Sequence, residues 1–258
     1  MSQFTASVVG NQEIMPATHV LSLRAPEAAK NAAPGQFLHI RCSTQRDPLL
    51  RRPMSIYRTE GDVIQLMIRR VGVGSAWLVD RQIGEELNCL GPQGQGFRLD
   101  ARSRNLLLVG GGYGVAPLVG LAERAIAQGR SVALAVGAAT SSLIFPSRLL
   151  PAQIEYLVAT DDGSAGCPGF VTDLVPEWIR WADAVYACGP IAMMSALAVR
   201  MREQTPRKRG QVAMEERMGC SMGVCMGCVV ETNKGPLRVC TEGPVFDIYQ
   251  IQWDQRAA

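Results

Sequence analysis

The rhythm of apolar and polar positions takes three forms along the chain. Up to about residue 98, apolar residues come in short runs, partly β-branched or aromatic, each bounded by Gly, Pro, Asn or Asp. Residues 4–9, 19–23, 37–41, 53–58 and 63–69 read as strands, and 84–92 as one more that ends in a turn. Several such strands at regular spacing predict an antiparallel β-barrel, with a helix starting near Ser75. From 99 to about 205 the pattern is different. Asn105-Leu106-Leu107-Leu108-Val109 is an unbroken apolar run, as in a parallel strand buried on both faces. A glycine-rich turn follows. Residues 115–128 then read as a helix, with Pro117 in its first turn and Gly129 as its stop. Strands at 131–136, 154–159 and 184–187 and a helix at 191–203 complete an alternation that predicts a doubly wound α/β domain. A polar, basic stretch at 206–210 reads as a hinge into a small cysteine- and glycine-rich lobe with an apolar tail at 245–253. The expected architecture is multi-domain: a barrel at 1–98, an α/β domain at 99–205 and a C-terminal lobe at 206–258.

The last lobe carries the most specific chemistry. Four residues separate Cys220 from Cys225, two separate Cys225 from Cys228, and eleven separate Cys228 from Cys240. That is the C-x4-C-x2-C…C spacing of a [2Fe–2S] site. Each iron takes two thiolates, and a loop supplies three of the four only if it turns sharply. Gly219, Gly223 and Gly227 are expected to allow those turns through positive φ and close backbone approach. A structural zinc site would show two separate C-x2–4-C knuckles, whereas here Cys225 is shared. The N-terminus lacks a basic stretch followed by an apolar one, so no secretory signal is expected. Eight cysteines in such a chain point to a reducing, cytoplasmic setting.

Composition narrows the remaining classes. The net charge of +3 is too small to imply nucleic-acid binding. No apolar run approaches the ~18 residues of a membrane span. His19 and His39 are the only histidines, and neither has metal-like or triad-like neighbours in the sequence. Phosphate-binding chemistry is better represented. Arg51-Arg52-Pro53-Met54-Ser55 sets two forked cations beside a hydroxyl; the alternative is a solvated edge strand with gatekeeping charges. Arg69 ends the strand before Gly72-Val73-Gly74-Ser75, a small-residue turn into a helix whose free N–H groups form an anion site. Gly110-Gly111-Gly112-Tyr113-Gly114 suits a phosphate cradle at a strand-to-helix turn, or equally a tight turn with close packing. It is not G-x-G-x-x-G, because Val115 or Pro117 occupies the third position. Thr160-Asp161-Asp162-Gly163-Ser164 and Cys188-Gly189-Pro190 stand at strand C-termini, where ligands bind in such sheets. Asp161 could meet a ribose or lie in solvent. Cys188 could face a cofactor or be a small buried residue.

Taken with Glu215-Glu216-Arg217-Met218 before the cysteine loop, and Val239-Cys240 and Gly243-Pro244-Val245-Phe246 after it, these motifs resemble a known family over essentially the whole chain. It is the electron-transfer subunit of B-type dihydroorotate dehydrogenase, within the wider ferredoxin-reductase-like group. The resemblance implies an FAD-binding barrel, an NAD-binding α/β domain and a [2Fe–2S] lobe. It assigns Arg52, with Pro53, to the FAD pyrophosphate, Ser55 to the flavin edge and Met54 to the isoalloxazine face. Arg69, Gly72, Val73, Gly74 and Ser75 join the FAD site, with Val73 standing where some members have lysine. Gly111, Gly112, Gly114 and Asp161 fall to NAD, and Cys188 approaches the nicotinamide as the catalytic candidate. Cys220, Cys225, Cys228 and Cys240 hold the cluster.

The implied partner is an FMN-containing catalytic subunit that oxidises dihydroorotate, in a heterotetramer by analogy, serving pyrimidine biosynthesis. No acid–base set for that oxidation stands out in this chain. Two other readings remain open: a reductase subunit for sulfite reduction, a hydrogenase or ferredoxin, and a redox-sensing module. The absence of a basic residue at Ala138 and Ala139 favours NAD over NADP.

Overall fold

The computed structural model describes residues 2–253 apart from 44 and 46. Strands β1 (Ser2–Met15), β2 (Thr18–Arg24), β3 (Phe37–Ile40), β4 (Arg52–Glu60), β5 (Val63–Arg69) and β6 (Glu86–Gln93) close an antiparallel barrel in the order β1-β2-β5-β4-β3-β6. In β6, residues Leu87, Cys89, Gly91 and Gln93 are buried and alternate with more exposed positions, the signature of a strand with one face inward. Ala6, Leu21, Leu38, Ile64, Leu66 and Leu87 are among the side chains that fill the barrel. Helix α1 (Pro26–Asn31), which the sequence reading lacks, packs Ala28 and Ala29 against this core. Helix α2 (Val73–Val79) starts two residues before the expected point.

The second unit is a seven-stranded sheet. Its members in chain order are β7 (Asn105–Gly111), β8 (Ser131–Ala138), β9 (Glu155–Thr160), β10 (Cys167–Pro168), β11 (Ala184–Cys188), β12 (Arg209–Ala213) and β15 (Val245–Asp247). The spatial order is β10-β9-β8-β7-β11-β12-β15, with every pairing parallel except β12 with β15. The unbroken apolar run of β7 is explained by its two covered faces. Leu106 and Leu108 belong to the core beneath α3 (Ala116–Ala127), while Leu107 and Val109 belong to the core beneath α4 (Val171–Trp181) and α5 (Ile191–Arg202). Helix α4 was not expected. Pro176 interrupts its helical pattern, yet Val171, Val175 and Ile179 recur at four-residue steps and are buried.

The stretch 206–210 corrects the hinge expectation. Arg209 and Gly210 open β12, which pairs with β11 from Ala184↔Arg209 to Cys188↔Ala213. The hairpin of β13 (Val229–Thr232) and β14 (Gly235–Arg238) follows the cysteine loop. The tail is packed inward: Phe246, Ile248, Ile251 and Trp253 share a core with Cys228, Val230, Val239 and Cys240. The Trp253 indole N–H donates to the Ile248 carbonyl at 2.9 Å.

Candidate functional site

A cavity of about 780 Å³ opens where the barrel, the sheet and the approach to the cysteine loop meet. Arg51, Arg52, Pro53, Met54 and Ser55 line it from β4 and the residue before it, and Met67, Ile68 and Arg69 from β5. Ser75, Tyr113, Ala116 and Ile191 close other sides, and Met214 to Met218 form the wall that leads to Cys220. The backbone of Met214 is fixed by donating its N–H to the Pro244 carbonyl at 2.8 Å. Four arginines face this cavity against Glu215 and Glu216, so an anionic ligand is favoured at the barrel side.

Arg52 and the Gly72–Ser75 turn form one device. The Arg52 stem crosses Gly74 so closely that a Cβ there would stand 2.8 Å from Arg52 Cγ and Nε. The Ser75 hydroxyl accepts the N–H groups of Val71 and Gly72 at 2.9 and 3.0 Å. Ala76 N–H returns to the Gly72 carbonyl. The N–H groups of Val73, Gly74 and Ser75 are thus the first-turn donors that an α-helix leaves open.

The glycine turn after β7 is organised by packing. A Cβ at Gly110 would meet Val115 Cα at 3.1 Å, one at Gly111 would meet Pro190 Cδ at 2.4 Å, and one at Gly114 would meet the Cys188 carbonyl oxygen at 2.5 Å. Gly112 alone in this turn is left-handed, with φ +54°, and has open space around it. Cys188 is buried beneath this turn. Burial pushes its thiol well above the usual range, and the nearby Glu215 carboxylate pushes the same way. Among the described residues Cys188 is not in the cavity wall, nor are Gly72, Val73, Gly74, Gly111, Gly112, Gly114 or Asp161. Asp161 is exposed at the end of β9, where its N–H donates to Ala138 O and that of Asp162 to Ala139 O. Glu215 and Tyr113 are wall residues to which the sequence reading gave no role. Solvent reaches Glu215 inside the cavity, but the surrounding protein desolvates its carboxyl and raises its pKa.

The cysteine loop departs from expectation in how it turns. Its left-handed residues are Ser221, Gly223 and Met226, at φ +56°, +78° and +55°. Gly219 and Gly227 do not take positive φ; a Cβ at those positions would stand at ordinary contact, 3.4 and 3.5 Å, from Cys225 Sγ. The Cys220 sulfur accepts the N–H groups of Met222 and Cys225 at 3.3 and 3.4 Å. The Met222 N–H is the main cause that holds the Cys220 thiol down at about 6. Cys228 and Cys240 are buried, Cys220 is half-buried and Cys225 exposed. Burial pushes Cys240 up to about 11. Loop amides aimed at a sulfur, small residues beside a second sulfur and two further thiols on the inner side suit a binuclear cluster. Such a cluster takes two thiolates per iron.

Residues 215–252 match the iron–sulfur cluster binding domain of dihydroorotate dehydrogenase B. The electron transfer subunit of dihydroorotate dehydrogenase B (NAD(+)) from Geobacillus sp. (strain WCH70) is 39% identical over 258 residues, covering 97% of this chain and 99% of that one. Its counterpart from Desulforamulus reducens is 36% identical over 261 residues, covering 97% and 98%. The chain belongs to this electron transfer subunit family. Its fold is ferredoxin-reductase-like. The structure of an NADH-dependent reduced ferredoxin–NADP oxidoreductase, described for flavin-based electron bifurcation, superposes with a TM-score of 0.86 at 27% identity, covering 97% of this chain and 90% of that one. Phthalate dioxygenase reductase shares the fold at a TM-score of 0.67 and 16% identity, covering 93% and 94%. As a member of its family, the chain is an oxidoreductase subunit for electron transfer. Among the described residues no helix is long and apolar enough to cross a membrane.

Proposed function

We propose that the chain carries electrons from a dihydroorotate-oxidising, FMN-containing catalytic subunit to NAD⁺, within a cytoplasmic heterotetramer that serves pyrimidine biosynthesis. One observation carries this reading: the segment that walls the main cavity, Glu215 to Met218, runs directly into Cys220. Bound FAD supplies the conversion between the electron pair of nicotinamide chemistry and the single electrons of a [2Fe–2S] cluster.

The residues divide the work. In residues 1–98, Arg52 and Arg69 hold the FAD diphosphate together with the open N–H groups of Val73, Gly74 and Ser75, in a turn that Gly72 enters with its own N–H bonded to the Ser75 hydroxyl. Pro53 fixes the edge of β4, Met54 covers the flavin face and Ser55 bonds its edge. In residues 99–205, Gly111, Gly112 and Gly114 shape the NAD turn, and Asp161 bonds the ribose. Cys188 supports the nicotinamide end from beneath, since its thiol stays neutral and buried. In residues 206–258, Cys220, Cys225, Cys228 and Cys240 ligate the cluster. The exposed Met222, Val224 and Met226 on the same loop are the surface for the catalytic subunit.

The test is to isolate the chain with its native partner and follow dihydroorotate-dependent NAD⁺ reduction. Turnover that needs both chains is expected. Turnover of NADH with a different co-isolated acceptor, and none with dihydroorotate, would overturn the reading. The 27% identical ferredoxin–NADP oxidoreductase is the observation that keeps a ferredoxin-type partner as the second reading.

A further inference from the structure

We propose that Arg238, oriented by Glu242, raises the reduction potential of the cluster held by the four cysteines. The inference rests on the cluster reading above. Arg238 ends β14, two residues before Cys240. Its Nη1 donates to the Gly223 carbonyl at 2.9 Å, in the middle of the cysteine loop. Its Nε donates to Glu242 Oε2 at 2.9 Å, its backbone N–H donates to the same oxygen at 2.8 Å, and Nη2 pairs with Oε1. The Arg238 carbonyl in turn accepts the N–H groups of Glu242 and Gly243 at 3.0 and 3.2 Å. One residue thereby ties the loop of Cys220, Cys225 and Cys228 to the turn of Cys240. The approach needs glycine at 223, where a Cβ would stand 3.3 Å from Arg238 Nη1 and 3.0 Å from Thr241 Cγ2.

The tie is also a fixed charge. The guanidinium is held on the Gly223 carbonyl, three residues after Cys220 and two before Cys225, and its own backbone stands two residues before Cys240. A [2Fe–2S] cluster gains one negative charge when it takes one electron. A cation held against the cysteine loop therefore favours the reduced form, and an anion beside that cation opposes it. Both side chains are partly exposed, at 35% for Arg238 and 30% for Glu242, so solvent screening keeps either effect modest. The two partners nonetheless act with opposite sign. A clip that only held the loop in shape would weaken the cluster whichever partner was lost.

The experiment is a mediator-poised redox titration of the cluster-loaded full chain, read by its electron paramagnetic resonance signal. Arg238→Met is expected to lower the midpoint, and Glu242→Gln to raise it. Each should change the reduced-to-oxidised ratio at the wild-type midpoint by about threefold, roughly 28 mV for a one-electron couple. Arg238→Lys keeps the charge on a less directed side chain and should fall between wild type and Arg238→Met. If Arg238→Met fails to assemble a cluster, the sign of Glu242→Gln decides alone. Shifts of the same sign, or no shift at wild-type signal intensity, would overturn the proposal. A wild-type chain that shows no [2Fe–2S] signal after reduction would instead overturn the cluster reading beneath it.

Discussion

The turn after β7 and the cysteine loop are both rich in glycine, and they use it differently. In the turn, Gly110, Gly111 and Gly114 are there because other backbone and side-chain atoms occupy the space of a Cβ. In the cysteine loop, Gly219 and Gly227 stand only at ordinary contact distance from a sulfur, and two of the three left-handed residues, Ser221 and Met226, are not glycine. Left-handed backbone disfavours side chains by about 1–2 kcal/mol, so this loop holds a conformation that its own residues do not prefer. The turn is self-sufficient packing. The loop is shaped for what its thiols hold, and bound metal contributes to its folding.

Substitutions can break that contrast. The largest effect is expected from Cys228→Ala, which removes a buried thiol of the inner pair: cluster absorbance should vanish and dihydroorotate-linked turnover with it. NADH-dependent reduction of an artificial two-electron acceptor should persist when counted per bound flavin, and its loss on that basis would show that the chemistry of the two sites is not separable. Next comes Gly114→Ala, which drives a methyl against the Cys188 carbonyl. A loss of about 2–3 kcal/mol in denaturant unfolding is expected, as for overpacked cores, with the cluster spectrum of surviving protein unchanged. Gly112→Ala meets open space and bears only the left-handed penalty, about 1 kcal/mol. Equal losses at 112 and 114 would dissolve the packing account. In the loop the ranking separates Gly223→Ala from Gly227→Ala. The first combines positive φ with a 3.0 Å approach to Thr241, while the second finds ordinary contact at 3.5 Å. Cluster retention after gel filtration should fall for the first and stay near wild type for the second.

The smallest effect is one of pH. Arg238 hydrogen bonds are the main cause that holds the Glu242 carboxyl at about 2, below its usual 4.5. A carboxyl depressed in the folded state stabilises it fully above the unfolded value, and that contribution is lost as pH falls toward the folded one. Thermal melts should therefore show Glu242-dependent stability declining from about pH 4.5 towards 2, and Glu242→Gln should flatten that part of the profile.

Much of the fold could be read from the chain because it rests on local patterning. The alternation in β6 and the unbroken run of β7 state which faces are covered. The cysteine spacing is legible for the same reason, since ligand geometry confines it to one loop and one further residue. Other features depend on distant atoms. The glycines at 111 and 114 are explained by Pro190 and Cys188, far along the chain. Glu215 becomes a cavity wall only when β12 pairs with β11, and β12 begins inside a basic stretch that reads as solvated. The tail at 245–253 fits either an exposed or a buried surface until the core with Cys228 and Cys240 is seen. Helix α4 is hidden by Pro176, since a proline rule outweighs three well-spaced apolar residues.

The wall formed by Met214 to Met218 has a consequence for maturation. Those residues belong to the barrel's cavity, yet they lead into the cysteine loop and are anchored through Pro244, beyond Cys240. The pocket for one group is thus completed by the folding of the lobe that holds another. Biogenesis then acquires a preferred sequence, with iron and sulfide loaded before flavin is retained firmly. Freshly purified Cys228→Ala protein should carry less flavin per chain than wild type, and equal flavin content would refute that order.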